Sequence, residues 1–365
     1  MGQEYNPVLV KNKNNNPKNA SSALTPPLEA RAGLIKAQES DEDVVLNLSL
    51  RPARLSEFIG QKDLADNLKI AITAASIRGE PLEHILFDGP PGLGKTSLAH
   101  IVSHEMSAKI TATSGPAIER AGDLIGILTN LEKGDILFID EIHRLSKVVE
   151  EFLYPAMENF QIDFIIDKGP YAKTIKFNLK PFTLIGATTR QGLLSSPLRG
   201  RFGMFYHLDF YEVEDLAKII RNSAKLLSVD IDEEACRCIG QRARGTPRIA
   251  NRLLRRARDY AQVNKIKNIN AESACSALDN LGVDTMGLDD FDRKVLRTIV
   301  ETYSGGPVGI ESLAATLNEE IDTLADAVEP YLLKSGFLKR TPRGREAMDL
   351  AFTHLGLPRK QKELF

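Results

Sequence analysis

The sequence predicts an α/β domain with a parallel sheet, a small all-helical domain after it, and a winged-helix module toward the C-terminus. Three observations predict this. Short continuous apolar runs, "ILFD" (Ile85 to Asp88), "DILFIDE" (Asp135 to Glu141) and "FTLIGATT" (Phe182 to Thr189), alternate with helical patterns between about 46 and 210, as buried parallel strands do. From Val213 to about Leu281 the pattern is helical throughout, with no strand run. Beyond Asp289, three short helical patterns lead into "FLKRTPRGREAM" (Phe337 to Met348), where Pro342 and Gly344 mark a turn after a short strand. The boundaries expected are 1–43 for a tail, 44–211 for the α/β domain, 212–283 for the helical domain and 284–365 for the winged helix.

Bulk properties exclude several classes. A chain of 365 residues is long enough for two or three domains, and a net charge of -2 excludes a uniformly basic nucleic-acid coat. Contact with phosphate backbones must be local. The three cysteines, Cys236, Cys238 and Cys275, form no CxxC pair and read as reduced cytosolic thiols. No secretory signal pattern and no apolar run long enough to span a bilayer is present, so a cytoplasmic protein without a membrane segment is expected.

Taken in order, residues 1–43 are rich in Asn, Lys, Pro and Ser, with too few apolar residues to offset the entropy of ordering, and are expected to be disordered. "QKDLADNLKIAITAA" (Gln61 to Ala75) puts Leu64, Leu68, Ile72 and Ala75 on one helical face. "GPPGLGKT" (Gly89 to Thr96) fits GxxxxGK[ST] between a strand and a helix, the context of a phosphate-binding loop. Gly89, Gly92 and Gly94 let backbone N–H groups turn toward phosphates, and the following helix adds the dipole of its N-terminus. Lys95 is expected to reach the β- and γ-phosphates of ATP, and the Thr96 hydroxyl to bind Mg²⁺. Pro91 and Ser97 complete the expected loop contacts.

Asp140 and Glu141 end an apolar strand, so both carboxylates emerge at the carboxyl edge of the sheet. One is expected to hold Mg²⁺ and the other to polarise an attacking water, which favours hydrolysis over nucleotide sensing. Thr188 and Thr189 end the next apolar strand; a γ-phosphate contact and a simple strand cap fit the spacing equally. "SPLRGRFG" (Ser196 to Gly203) carries Arg199 and Arg201, which suit a charge-stabilising role supplied by a neighbouring subunit, or plain surface charge. In "RARGTPRIANRLLRRARDYA" (Arg242 to Ala261), Arg244, Arg248, Arg252 and Arg255 recur at helical spacing. Arg248 is placed to close over a phosphate, and most of the other arginines read as a solvated basic face.

These segments in this order, with "LRPARLSEFIGQ" (Leu50 to Gln61) upstream, resemble the RuvB family, AAA+ P-loop ATPases that drive branch migration of Holliday junctions. The resemblance covers about Leu46 to Leu357. It implies that Lys95 and Thr96 are the Walker A pair, Asp140 and Glu141 the Walker B pair, Thr189 the first sensor, Arg201 the arginine finger and Arg248 the second sensor. It further places Leu50, Arg51, Ile59, Tyr211 and Pro247 against adenine and ribose, with Arg199 a second candidate at the subunit interface. A homohexameric ring on duplex DNA at Holliday junctions, a RuvA-type junction-binding partner and a RuvC-type resolvase are implied by the resemblance alone.

Two segments bear on partners. "FQIDFIIDKGPYAKTIKFNLK" (Phe160 to Lys180) alternates as a β-hairpin turning at Lys168 to Pro170. Its apolar face either packs on its own domain or docks a protein; the resemblance implies docking of the RuvA-type partner, with Ile165 and Tyr171 as the residues to test. In the winged helix, "EEIDTLADAVEPYLL" carries Glu319, Glu320, Asp322, Asp326 and Glu329, charges that repel phosphate. The basic wing with Arg340, Arg343 and Arg345 is therefore expected to meet DNA, through backbone contacts that do not depend on sequence. The competing reading is a nucleotide-switched AAA+ loader or scaffold that does not translocate. A protein unfoldase is a weaker one, because no aromatic-glycine pore loop is evident.

Overall fold

The computed structural model describes residues 50–166 and 173–358. The expected tail, and the hairpin tip with Tyr171, lie outside the described residues. A first helix, α1 (Lys62–Arg78), buries the stripe Leu64, Leu68, Ile72 and Ala75 and stops at Gly79, whose φ of 65° is the left-handed cap that favours glycine.

Alternation then follows: β1 (Ile85–Asp88), α2 (Lys95–Glu105), β2 (Ile110–Ser114), α3 (Ala121–Thr129), β3 (Ile136–Asp140) and α4 (Lys147–Asn159). The hairpin β4 (Gln161–Ile166) and β5 (Lys173–Asn178) comes next, then β6 (Thr183–Thr188), the short α5 (Ser196–Arg199) and β7 (Met204–His207). The sheet order is β2-β3-β6-β1-β7, and every pairing is parallel. Its strands are apolar because helices cover both faces: Phe87, Phe138 and Ile185 belong to one core, Leu86, Leu137 and Leu184 to the other. Register aligns Asp88 with Thr188 and with His207, which gathers the polar strand ends at the carboxyl edge.

The hairpin pairs antiparallel, with Ile162 opposite Phe177 and Phe164 opposite Ile175, as its alternation predicts. Ile162 is fully buried and Leu179 nearly so, whereas Phe177 is exposed. The base of the apolar face therefore packs on its own domain. Ile165 sits in β4 opposite Thr174.

The helical domain comprises α6 (Val213–Leu226), α7 (Glu233–Arg242), α8 (Pro247–Val263) and α9 (Ala271–Asn280). It departs from expectation in three ways. Two-residue strands, β8 (Asp230–Ile231) and β9 (Asn268–Ile269), pair in parallel where no strand was expected; runs this short leave no periodicity to read. Cys238 and Cys275 form a disulfide rather than free thiols, because α7 and α9 pack side by side and bring their Cα atoms to 6.5 Å. The basic face is not solvated throughout: Arg242, Arg244 and Arg255 are buried. Arg242 pairs with Asp279, and Arg244 precedes α8 altogether.

The last domain has its own core, with α10 (Asp290–Arg297), α11 (Ile310–Leu317) and a π-helical turn, Thr323–Val328, running into α12 (Glu329–Lys334). The wing, β10 (Leu338–Thr341) and β11 (Gly344–Ala347), follows, and α13 (Asp349–Leu355) closes the fold. This is the winged-helix order expected. Arg244 fastens the last two domains together. Its Nε donates to the Gly287 carbonyl at 2.6 Å, and its guanidinium pairs with Asp292 and lies 3.5 Å from Asp289. Among the described residues no helix is long and apolar enough to cross a membrane.

Candidate functional site

The loop between β1 and α2 owes its shape to glycine. Gly89 has φ 130°, and a Cβ there would lie 2.3 Å from the Leu208 carbonyl oxygen, so no other residue fits. α2 starts directly at Lys95, leaving its first N–H groups turned toward the loop. Lys95 is buried, and its ammonium donates to the carbonyls of Gly89 at 2.7 Å and Pro90 at 2.9 Å. Burial lowers its pKa to about 8, against the opposing pull of Asp140 and Glu141. A triphosphate arriving there would meet an ammonium whose hydrogen bonds go to neutral carbonyl oxygens.

Thr96 Oγ1 lies 3.4 Å from Asp140 Oδ2. Two oxygen donors facing each other across the loop are the hard ligands a Mg²⁺ ion accepts, so the donor set fits that ion. Glu141 follows with φ 49°, an unfavourable left-handed conformation for a residue with a side chain. That backbone turns the carboxylate across the strand ends, where Thr189 Oγ1 donates to Glu141 Oε2 at 3.4 Å. Burial, then the neighbouring Asp140, raises the Glu141 pKa above the ordinary carboxylate value. The two threonines left open by spacing are thereby told apart. Thr188 is buried against His143 Nδ1 at 2.9 Å, while Thr189 faces Glu141.

A cavity of about 630 Å³ opens from this edge between the α/β and helical domains. Of the residues expected to hold nucleotide, Leu50, Arg51, Ile59, Pro91, Gly92, Gly94, Lys95, Thr96, Ser97, Tyr211, Pro247 and Arg248 line it, together with Asp140 and Glu141. Tyr211 is buried, with its hydroxyl donating to the Leu93 carbonyl at 3.0 Å. Pro247 opens α8 at its first turn, where a missing N–H costs nothing. The next residue, Arg248, donates its backbone N–H to the Gly92 carbonyl at 3.3 Å. Gly89 is not in the lining; it acts through its carbonyl on Lys95.

Arg199 and Arg201 are not brought to this cavity. Arg201 lies over the Tyr154 ring at 4.3 Å and pairs with Glu158 at 3.0 Å, and Arg199 lies over Phe205. Neither serves the cavity of its own chain. In the wing, Arg340 and Arg345 both grip the buried carboxylate of Glu329, Arg340 from an exposed position and Arg345 from a largely covered one. Arg343 is exposed at the turn.

Sequence reasoning missed several residues. Phe58, Asn222 and Asn251 also line the cavity, but nothing local marks them. His143, inside the quoted "FIDEIHR", lies 3.3 Å from Glu141 Oε2. Burial lowers its pKa, which disfavours the imidazolium form beside that carboxylate. Arg144 and Arg190, the last residues of "FIDEIHR" and "LIGATTR", reach Asp322 and Asp326 of the winged-helix domain. The signal for both was the arginine itself, and the acidic helix was the other half of it.

Comparison with known proteins covers all three domains. The chain matches the family models described as the Holliday junction DNA helicase RuvB P-loop domain over residues 50–208, the RuvB AAA lid domain over 211–284 and the RuvB C-terminal winged helix domain over 285–356. It is 57% identical over 325 residues to the Holliday junction branch migration complex subunit RuvB of Dehalococcoides mccartyi, covering 89% of this chain and 93% of that protein. The subunit of the same name from Pseudothermotoga lettingae is 54% identical over 323 residues, covering 88% and 94%. Among solved structures, the Thermotoga maritima RuvB Holliday junction branch migration motor superposes with a TM-score of 0.80 at 52% identity, covering 85% of this chain and 99% of that one.

Proposed function

The chain belongs to the RuvB family, and on that premise we propose how its residues divide the work of moving a Holliday junction. It is an ATP hydrolase and an ATP-driven branch migration motor; no observation favours a loader or scaffold that does not translocate. The observation that carries the reading is the meeting of Lys95, Thr96, Asp140, Glu141 and Thr189 at one sheet edge, beside a cavity that the helical domain closes.

ATP enters this cavity with its base toward Leu50, Ile59, Tyr211 and Pro247 and its phosphates on the glycine loop. Lys95 exchanges the carbonyls of Gly89 and Pro90 for β- and γ-phosphate oxygens. Thr96 and Asp140 would hold Mg²⁺, which when bound would offset phosphate charge. Glu141 takes the proton of the attacking water as its oxygen bonds to the γ-phosphorus; the bond to the bridging oxygen breaks, leaving ADP and phosphate. The raised pKa of Glu141 makes it a stronger proton acceptor than an exposed carboxylate. Thr189 orients that carboxylate and the water.

Arg201, turned away from its own cavity, serves the site of an adjacent subunit in a homohexamer, with Arg199 beside it, and Arg248 follows the phosphates from the lid. Arg340, Arg343 and Arg345 meet duplex DNA at the wing. The hairpin carrying Ile165 and Tyr171 docks a RuvA-type partner, and a RuvC-type resolvase acts on the junction it moves. A cytoplasmic setting fits a DNA substrate.

The test is movement of a synthetic four-way junction with ATP, Mg²⁺ and a RuvA-type protein. Lys95→Ala lowers both this and DNA-stimulated ATP hydrolysis by about 10²-fold or more. Retained DNA-stimulated hydrolysis in that variant would sink the reading.

A further inference from the structure

Three segments of this chain meet just beyond the strand ends that carry Thr189 and Glu141. Arg190 directly follows Thr188 and Thr189, and its backbone N–H donates to Thr188 Oγ1 at 3.0 Å. Its guanidinium is gripped by both oxygens of Asp326, at 2.7 and 2.9 Å, and by Asp322 at 2.8 Å. Arg144, which ends the segment holding Glu141 and His143, pairs with the other oxygen of Asp322 at 2.8 Å. Two strand-end segments of the ATPase domain, 46 positions apart at these arginines, are thus held by one carboxylate pair from the winged helix.

The carboxylates come from an unusual place. Asp322 and Asp326 are four residues apart and flank the start of the π-helical turn Thr323–Val328, a form that recurs at functional sites. Their helix is the one whose acidity leads to the expectation that the wing, not this helix, meets DNA. The same helix continues into Glu329, which holds Arg340 and Arg345 of the wing. A single helical run therefore grips the ATPase domain at one end and the wing at the other.

From the strand ends the contacts continue inward. Thr188 Oγ1 meets His143 Nδ1 at 2.9 Å, His143 lies 3.3 Å from Glu141 Oε2, and Thr189 donates to that same oxygen at 3.4 Å. Bidentate pairing fixes the orientation of a guanidinium, and through it the backbone that carries it. We propose that Asp322 and Asp326 are positioning residues for ATP hydrolysis: the winged-helix domain, by holding Arg190 and Arg144, sets the placement of Thr189 and Glu141, so that load on the wing alters hydrolysis in the same chain. This rests on the motor reading above. Neither carboxylate touches the nucleotide, so their removal acts on turnover rather than on ATP affinity.

The experiment compares the full-length protein with D322N/D326N, which removes the charges at nearly constant shape, and D322E/D326E, which restores them. kcat and KM for ATP are measured with and without duplex DNA, alongside DNA affinity and melting temperature. The double Asn variant is expected to lower DNA-stimulated kcat by about tenfold, with KM and DNA affinity within about twofold of wild type, an effect within the range of remote coupling. The double Glu variant recovers most of the loss. The proposal is overturned if the double Asn variant keeps DNA-stimulated kcat within about twofold of wild type, or if kcat, ATP affinity and melting temperature fall together, as loss of a purely structural contact would make them. A wild-type protein whose ATP hydrolysis is indifferent to DNA would instead sink the motor reading itself, before any variant is compared.

Discussion

The ammonium of Lys95 is held by two carbonyl oxygens and buried, with a pKa lowered to about 8. Phosphate oxygens raise it again. Affinity for ATP is therefore full below about pH 8 and weakens as pH rises through that value, and ATP binding at slightly alkaline pH takes up protons. Calorimetry at pH 8.5, in buffers of differing ionisation enthalpy, should show this uptake in the wild type and not in Lys95→Met. Asp88 is a second residue-scale case. Beside a phosphate loop a carboxylate looks misplaced, but it turns sideways to His207 on β7, 2.9 Å away. Placements of this kind were legible only where they were local: Lys95, Thr96, Asp140 and Glu141 come together as expected because a strand, a loop and a helix start impose them within a few positions. His143 and Arg190 stood in the same quoted segments. Their use depends on partners 45 and 136 positions away, and spacing carries no trace of such pairs.

At the scale of elements, alternation and apolar runs revealed the three central sheet strands, the hairpin and the wing, since each obeys a short period, whereas β2 and β7, at the half-buried edges of the sheet, carry no continuous apolar run and were not expected. What else escaped was set by tertiary partners. Arg244 counted as one arginine of a helical face, yet it lies before α8 and is buried against Asp289 and Asp292 from the start of α10. Burial raises the Asp292 carboxyl well above its ordinary value despite the guanidinium beside it. Truncating the cation strands both acids, so Arg244→Ala should destabilise the fold by about 3–5 kcal/mol. Denaturant unfolding measures this; a change below about 1 kcal/mol, the value for an exposed pair, would contradict it. Cys238 and Cys275 illustrate the same limit, because a separation of 37 residues says nothing about two helices lying side by side.

At the scale of the whole molecule, the placement of Arg201 bears on the proposed sharing of a site between subunits. In its own chain it is occupied by Tyr154 and Glu158, outside the lining of the cavity that Lys95 lines. If it completes a neighbour's site, Arg201→Ala and Glu141→Gln proteins are each inactive alone, but mixed rings contain some sites with both residues intact. Mixing should restore ATP hydrolysis to roughly a quarter of wild type for random assembly of an adjacent-subunit site. Rings that stay inactive on mixing, with subunit exchange verified by native mass measurement, would contradict the arrangement. The contact between lid and loop adds a different consequence. Arg248 reaches Gly92 through main-chain N–H and carbonyl atoms, so that hydrogen bond does not depend on the identity of the side chain. Drift in sequence along α8 can retune the lid's charge without cutting that tether; of the twenty residues, only proline at position 248 lacks the atom that makes it.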